Sequence, residues 1–294
     1  MRAATAIAAT VIATCGLALS GFWPSQSNRT SASVATFSPP LVYEVYAVRF
    51  AKSPGDLVSD YVAGADARRR MDGVYMFWLL KGTDGRIALV DAGFHRNKFM
   101  PRWKPVDFVR PSDALRRARV KPEDVHDIIV THVHWDHLDG ADLFPRALVW
   151  MQKAEYEYYV DFAGGTPHRT IDPDDAAMLF SMKRAGRVRL IDGDAREIFE
   201  GVTTYTGGKH TYASQYVAVR TRSGTVVLAS DNVYVYENLD KHMAIAQTLD
   251  PAANLRAQER MLSIASDRRF VIPGHDAQVF VRFPTVGDGI VRID

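Results

Sequence analysis

Hydrophobic positions along the chain fall into short runs separated by breaks rich in Gly, Pro and Asp. Val42 to Phe50 alternates and is β-branched, which predicts a strand. Val74 to Lys81 and Ile87 to Asp91 are apolar runs around Gly82-Thr83-Asp84-Gly85, the composition of a hairpin turn. Ser112 predicts a cap for a short helix, Asp113 to Arg119. Asp127 to Thr131 is a short apolar strand that runs straight into a His-rich loop. Ala147 to Met151 predicts another strand, followed by a helix through Tyr159 and a loop at Gly164-Gly165-Thr166-Pro167. Val188 to Ile191, Glu197 to Phe199, Val202 to Thr206, Gln215 to Arg220 and Thr225 to Ser230 read as successive strands. Pro251 to Ser266 is an amphipathic helix with Pro near its start, and Phe270 to Ile272 is a last core strand. The elements come in two batches, one ending near Ile191, which predicts a layered α/β body of two sheets flanked by helices.

Composition narrows the chemistry. With 47% hydrophobic and 24% charged residues, the 294-residue chain is globular in type, which excludes disorder for its bulk. A net charge of +2 is far from the basic excess of a nucleic-acid binder, so no nucleic-acid partner is expected. Cys15 is the single cysteine and lies in an apolar, Ala-rich leader that begins with Arg2. Disulfides, thiolate zinc sites and a Cys nucleophile are therefore excluded for the body. The leader, residues 1–20, reads as a signal peptide. Residues 21–40 are rich in Ser, Thr and Pro and read as a flexible tether, leaving 41–294 as the folded domain. The expected location is secreted or periplasmic, with no membrane contact beyond export.

The sharpest local feature is Thr131-His132-Val133-His134-Trp135-Asp136-His137, directly after a strand. His132 and His134 alternate, so both can face one side of an extended segment, and Asp136 and His137 follow after a bend. Four such donors within six residues cannot all close on one ion without strain. Two pairs on one loop suggest two neighbouring metals, each needing partners from elsewhere. Candidate partners stand at other strand ends: His210 after Gly207-Gly208-Lys209, Asp231 after Leu228-Ala229-Ser230, and His275 after Pro273-Gly274.

In this order the residues resemble the metallo-β-lactamase superfamily of hydrolases. Val90-Asp91-Ala92-Gly93 also matches an early Asp-x-Gly of that family. The resemblance spans about Leu41 to Asp294 and implies a four-layer αβ/βα metallo-β-lactamase sandwich. It implies that His132, His134 and His210 bind one zinc, that Asp136, His137 and His275 bind a second, and that Asp231 bridges, with Asp91 supporting the ligands. Two Zn²⁺ are the implied cofactors, other divalent metals being possible. Within the superfamily, Ser230-Asp231-Asn232-Val233-Tyr234 with Glu237-Asn238 is similar to N-acyl-homoserine lactonases, where a Tyr in the place of Tyr234 points at the substrate carbonyl.

The resemblance implies opening of a lactone ring by metal-activated water, with Asp136 or Asp231 relaying the proton and Tyr234 holding the oxyanion. Thioesterases and phosphotriester hydrolases share the ligand set and stay open as alternatives. Cys-dependent β-lactamases are excluded by the body's composition, and Asp231 argues against the Cys-free ones. A metal-binding protein without turnover is a third reading. The expected partner is a small ester or lactone, with the protein a monomer or homodimer. Phe94, Phe99, Met100, Trp103 and Phe108 form an apolar stretch that reads as a lid or as plain packing, and His95 as a pocket or loop residue.

Overall fold

The run Val74 to Leu80 is apolar at every position because both of its faces are covered. Val74, Met76, Trp78 and Leu80 pack between two sheets, while Tyr75, Phe77 and Leu79 pack under helices. This computed structural model describes residues 12–13, 40–161 and 170–294. The expected signal peptide and tether lie outside the described residues but for Ile12, Ala13 and Pro40, as does the loop at 164–167. The contacts divide the chain into Met1–Pro39 and Pro40–Asp294, and the fold is that of the second unit.

The first sheet contains β1 (Tyr43–Leu57), β2 (Arg70–Gly82), β3 (Ile87–Val90), β4 (Asp127–Ile129), β5 (Leu148–Gln152) and β6 (Val188–Ile191). The second contains β7 (Arg196–Phe199), β8 (Val202–Thr206), β9 (Gln215–Thr221), β10 (Gly224–Ser230) and β11 (Val271–Pro273). The division near Ile191 is the expected one. Two further strands, β12 (Thr285–Gly287) and β13 (Ile290–Arg292), return to the first sheet, whose order is β12-β13-β1-β2-β3-β4-β5-β6. The second sheet has the order β11-β10-β9-β8-β7.

Among the described residues, eight α-helices accompany the strands: α1 (Met100–Trp103), α2 (Pro111–Arg117), α3 (Trp135–Leu138), α4 (Lys153–Tyr159), α5 (Pro173–Arg184), α6 (Tyr236–Asp240), α7 (Pro251–Ile264) and α8 (Val279–Arg282). Leu115 of α2, Tyr156 of α4 and Leu179 of α5 pack with Phe77 and Leu89 on one outer face. Ala257 and Met261 of α7 pack with Tyr216 and Ala218 on the other. Val217, Val219, Val226 and Leu228 meet Val45, Trp78 and Val90 in the middle. The result is helix, sheet, sheet, helix, the expected four layers.

Some expectations are corrected. Ser112 does not cap: the helix starts at Pro111, with no side-chain cap from Arg110, because the fixed φ of Pro suits the first turn. β1 continues past Phe50 to Leu57 through irregularities between Arg49 and Ala51 and between Ser53 and Asp56, which break the alternation the sequence pattern relies on.

Topology places the site. Strands β3, β4, β5 and β6 run parallel, so their C-terminal ends share one edge. Strands β10 and β11 are also parallel. Loops leaving these ends converge, the usual position for a site in such sheets.

Candidate metal centre

The loop after β4 carries four of the expected donors. His134 is extended, with ψ 146°, and α3 begins at Trp135. The chain therefore bends between the His132/His134 pair and the Asp136/His137 pair. His210 arrives on the loop after β8, Asp231 directly after β10, and His275 just past β11. The structure brings all seven together in two groups: His132, His134, His210 and Asp231; and Asp136, His137 and His275.

In the first group, His134 Nδ1 lies 3.0 Å from His132 Nε2 and 2.9 Å from His210 Nε2. Three nitrogens on one zinc at ~2.05 Å would stand ~3.3 Å apart, so the spacing is close to that of a shared cation. Asp231 Oδ2 lies 3.5 Å from His132 Nε2 and 3.3 Å from His210 Nε2. Its other oxygen, Oδ1, lies 3.2 Å from His137 Nε2 and 3.0 Å from His275 Nε2. One carboxylate thus presents one oxygen to each group. Asp136 Oδ2 completes the second group, 3.5 Å from His137 Nε2 and 3.7 Å from His275 Nε2.

The opposite ring nitrogens are held by acceptors. His137 Nδ1 donates to Asp91 Oδ2 at 2.8 Å, His210 Nδ1 to the Gln247 carbonyl at 2.7 Å, and His275 Nδ1 to the Val74 carbonyl at 3.0 Å. A carbonyl or carboxylate can only accept, so these rings carry their proton on Nδ1 and turn the Nε2 lone pair inward. Asp91 is the hub of this support: it also accepts from the Thr131 amide at 2.8 Å and from the hydroxyls of Thr131 at 2.9 Å and Ser230 at 3.0 Å.

The residues fit divalent cations. His137 Nε2 and Asp231 Oδ1 are buried without a hydrogen-bond partner, a costly state for groups this polar. Burial holds His132 well below the usual imidazole range and His134 down to about 3, so both rings are neutral, as metal ligands must be. At His137 and His275 burial also opposes charge, but the Asp231 and Asp136 carboxylates outweigh it and raise both. Asp231 is pushed well below its ordinary range by the facing imidazoles, against the effect of burial. The carboxylates thus call for positive charge, which protons or cations can supply.

His134, Asp136, Asp231 and His275 of the cluster line a cleft of about 780 Å³ together with Tyr234, Trp135, Phe99 and Trp103. The Tyr234 hydroxyl lies 3.4 Å from His210 Nδ1, and burial, with the Asp231 charge, raises it well above the phenol range. Trp135 stacks between Phe99, 4.5 Å away between ring centres, and Trp103, 5.4 Å away. Only part of the expected apolar stretch reaches the cleft: Phe94 and Phe108 pack against Phe50 instead. His95 does not line the cleft and pairs with Asp142 at 2.8 Å.

Residues the sequence reading missed include Tyr61 and Tyr75, which also line the cleft, and Glu155, which accepts from the amide of Val133 in the histidine loop. Tyr61 donates to Asp56 and meets Tyr234 edge to face at 5.5 Å.

The chain and its fold have relatives among known proteins. A family model described as the metallo-beta-lactamase superfamily matches residues 72–275. The chain belongs to that superfamily. N-acyl homoserine lactonase AiiA of Bacillus thuringiensis subsp. kurstaki is 27% identical over 194 residues, covering 65% of this chain and 71% of that protein. Metallo-beta-lactamase domain-containing protein 1 of Mus musculus is 31% identical over 175 residues, 59% of this chain and 57% of that protein. A solved N-acyl homoserine lactone hydrolase, with the product N-hexanoyl-L-homoserine at its catalytic metal centre, superposes with a TM-score of 0.64 at 20% identity. That match covers 83% of this chain and 98% of the other. AidC, a dizinc quorum-quenching lactonase, matches with a TM-score of 0.62 at 15% identity, over 79% of this chain and 87% of that one. These structural likenesses speak for the metallo-beta-lactamase fold. Superfamily membership and the His/Asp cluster make the protein a metal-dependent hydrolase.

Proposed function

We propose that the protein opens the lactone ring of N-acyl-homoserine lactones at a dinuclear, zinc-type centre. The observation that carries this reading is Asp231, whose two oxygens face two separate groups of imidazoles in a cleft that Tyr234 also lines. The lactonase relatives supply the substrate class. His132, His134 and His210 would hold one cation and Asp136, His137 and His275 the other, with Asp231 shared. Bound divalent cations supply Lewis acidity toward a carbonyl and make water acidic enough to attack near neutral pH.

The chain's own residues do the rest. Tyr234 stays protonated because burial raises its hydroxyl, so it can donate to an oxygen that gains charge as the carbonyl is attacked. Asp136 is ionised and reaches the cleft, so the carboxylate oxygen it does not turn to the cation can accept a proton from water and return it to the leaving alkoxide. The stacked Phe99, Trp135 and Trp103 give the acyl group an apolar wall. Ring opening consumes one water, whose oxygen joins the lactone carbonyl carbon as the ring ester C–O bond breaks, and one of whose protons ends on the new alcohol. In this reading residues 1–20 direct export, and the activity works in the periplasm or outside the cell.

The test is a panel of acyl-homoserine lactones, thioesters, phosphotriesters and β-lactams offered to metal-loaded protein. Lactones should turn over fastest, and a chelator should abolish the rate until zinc, cobalt or manganese is restored. A preference for phosphotriesters or thioesters would reassign the substrate. Full turnover in metal-free protein would end the metal reading.

A further inference from the structure

Glu155 lies in the first turn of α4, 1% exposed, and its carboxylate joins two loops that are far apart in sequence. Oε1 accepts from the Val133 amide at 3.3 Å and from the Thr211 hydroxyl at 2.6 Å. Oε2 accepts from the Ala213 amide at 2.6 Å. One turn further along α4, the Tyr159 hydroxyl accepts from the Tyr212 amide at 3.2 Å, so the same helix face grips the loop twice. Val133 sits between His132 and His134, and Thr211 follows His210. All three imidazoles of one group therefore hang from segments tied to this carboxylate. The other group is anchored elsewhere: His137 on Asp91, and His275 on the Val74 carbonyl.

We infer that Glu155 is a positioning residue that sets the affinity of the His132/His134/His210 group for its cation while leaving the Asp136/His137/His275 group unaffected. The inference rests on the two-cation reading above. The physical reason is geometric. Three nitrogens converge only if the loop after β8 is held against the loop after β4; the Gln215 amide donates to the Thr131 carbonyl at 2.9 Å just outside the ligand positions, and at 132–134 and 210–213 no backbone bond joins the two loops. All of the bonds described at Glu155 are accepted ones, made by an acceptor-only group. A glutamine would aim an N–H₂ at one of the three donors, so Glu155→Gln should loosen the clamp while keeping size and helix propensity.

The experiment uses the full chain loaded with Co²⁺ or Zn²⁺, titrated with a chelator while metal per chain and the cobalt spectrum are followed. The wild type should retain two ions. Glu155→Gln should lose one about 10- to 100-fold more readily than the wild type, the range for changes to residues that support ligands, and keep the other. The cobalt spectrum should lose the contribution of the three-imidazole group alone. Thr211→Val removes one donor and leaves the carboxylate, so it should move the same ion in the same direction by less. Equal weakening of both ions, or two unchanged affinities, would overturn the inference. An unchanged Thr211→Val would overturn it even if Glu155→Gln failed to fold. A wild type that retains a single ion would instead overturn the two-cation reading and this inference with it.

Discussion

Asp91 and Ser230 are single residues in the left-handed region, at φ 62° and 49°, conformations that non-glycine residues rarely adopt. Both end a strand at the metal centre, and Asp91 accepts from Ser230 Oγ, so the strained residues support each other. Asp91 was legible in the sequence as part of an Asp-x-Gly turn, whereas its four accepted bonds were not, because three of the four donors come from other strands' ends. Tyr234 was likewise marked by its distance from Asp231 in sequence, and the fold places its hydroxyl 3.4 Å from His210 Nδ1 at the cleft. Tyr234→Phe should slow lactone opening on the order of 100-fold, the usual loss for one donor to a developing oxyanion, with two ions per chain retained. Steady-state kinetics beside elemental analysis decides this, and an unchanged rate would remove Tyr234 from the chemistry.

The elements that carry the ligands were predicted because strand ends followed by Gly or His are local signals. Gly274 shows why glycine is needed at one such end. A Cβ there would stand 2.7 Å from Asp231 Oδ1 and 2.9 Å from the Ser230 carbonyl carbon. Gly274→Ala should therefore push β11 from β10, cost roughly 1–3 kcal/mol as overpacking does, and reduce metal retention at both groups, since Asp231 serves both. Thermal melts with and without zinc test it, and a variant that melts and binds as the wild type does would refute the steric account. Other elements were misread for physical reasons. α5 was missed although Asp172 caps it by accepting from the Asp174 amide and Pro173 opens it, a local signal the periodicity hides because both faces of α5 carry polar residues. β12 and β13 are three residues each, too short for a pattern, and exist because β13 pairs with β1, as in Tyr46 with Arg292.

Across the molecule, buried charge ties the metal loop to the cleft wall. Arg96 pairs with Asp139, just after α3, and with Asp175 on α5, both fully buried. One guanidinium cannot neutralise both carboxylates, so burial and the charge of Asp139 push the Asp175 carboxyl up to about 8. A carboxyl raised on folding adds stability that is full below its unfolded value near 4 and is lost as the pH rises through about 8. Asp175→Asn keeps the neutral form, so its melting temperature should fall less than that of the wild type between pH 6.5 and 9. A steeper fall in the variant would refute this. Nothing in the sequence around Asp175 marks it, since a helical Asp reads alike on a wet face and in the core. The sequence by itself determined the layered α/β class, the His-x-His-x-Asp-His loop and the strand-end partners, because these depend on periodicity and on neighbours along the chain. Only the tertiary structure decided that Asp231 faces two groups at once, that Glu155 clamps two loops and that the C-terminal hairpin closes the first sheet. Those facts depend on which distant segments pair or share one buried space, and both are properties of the whole packed chain.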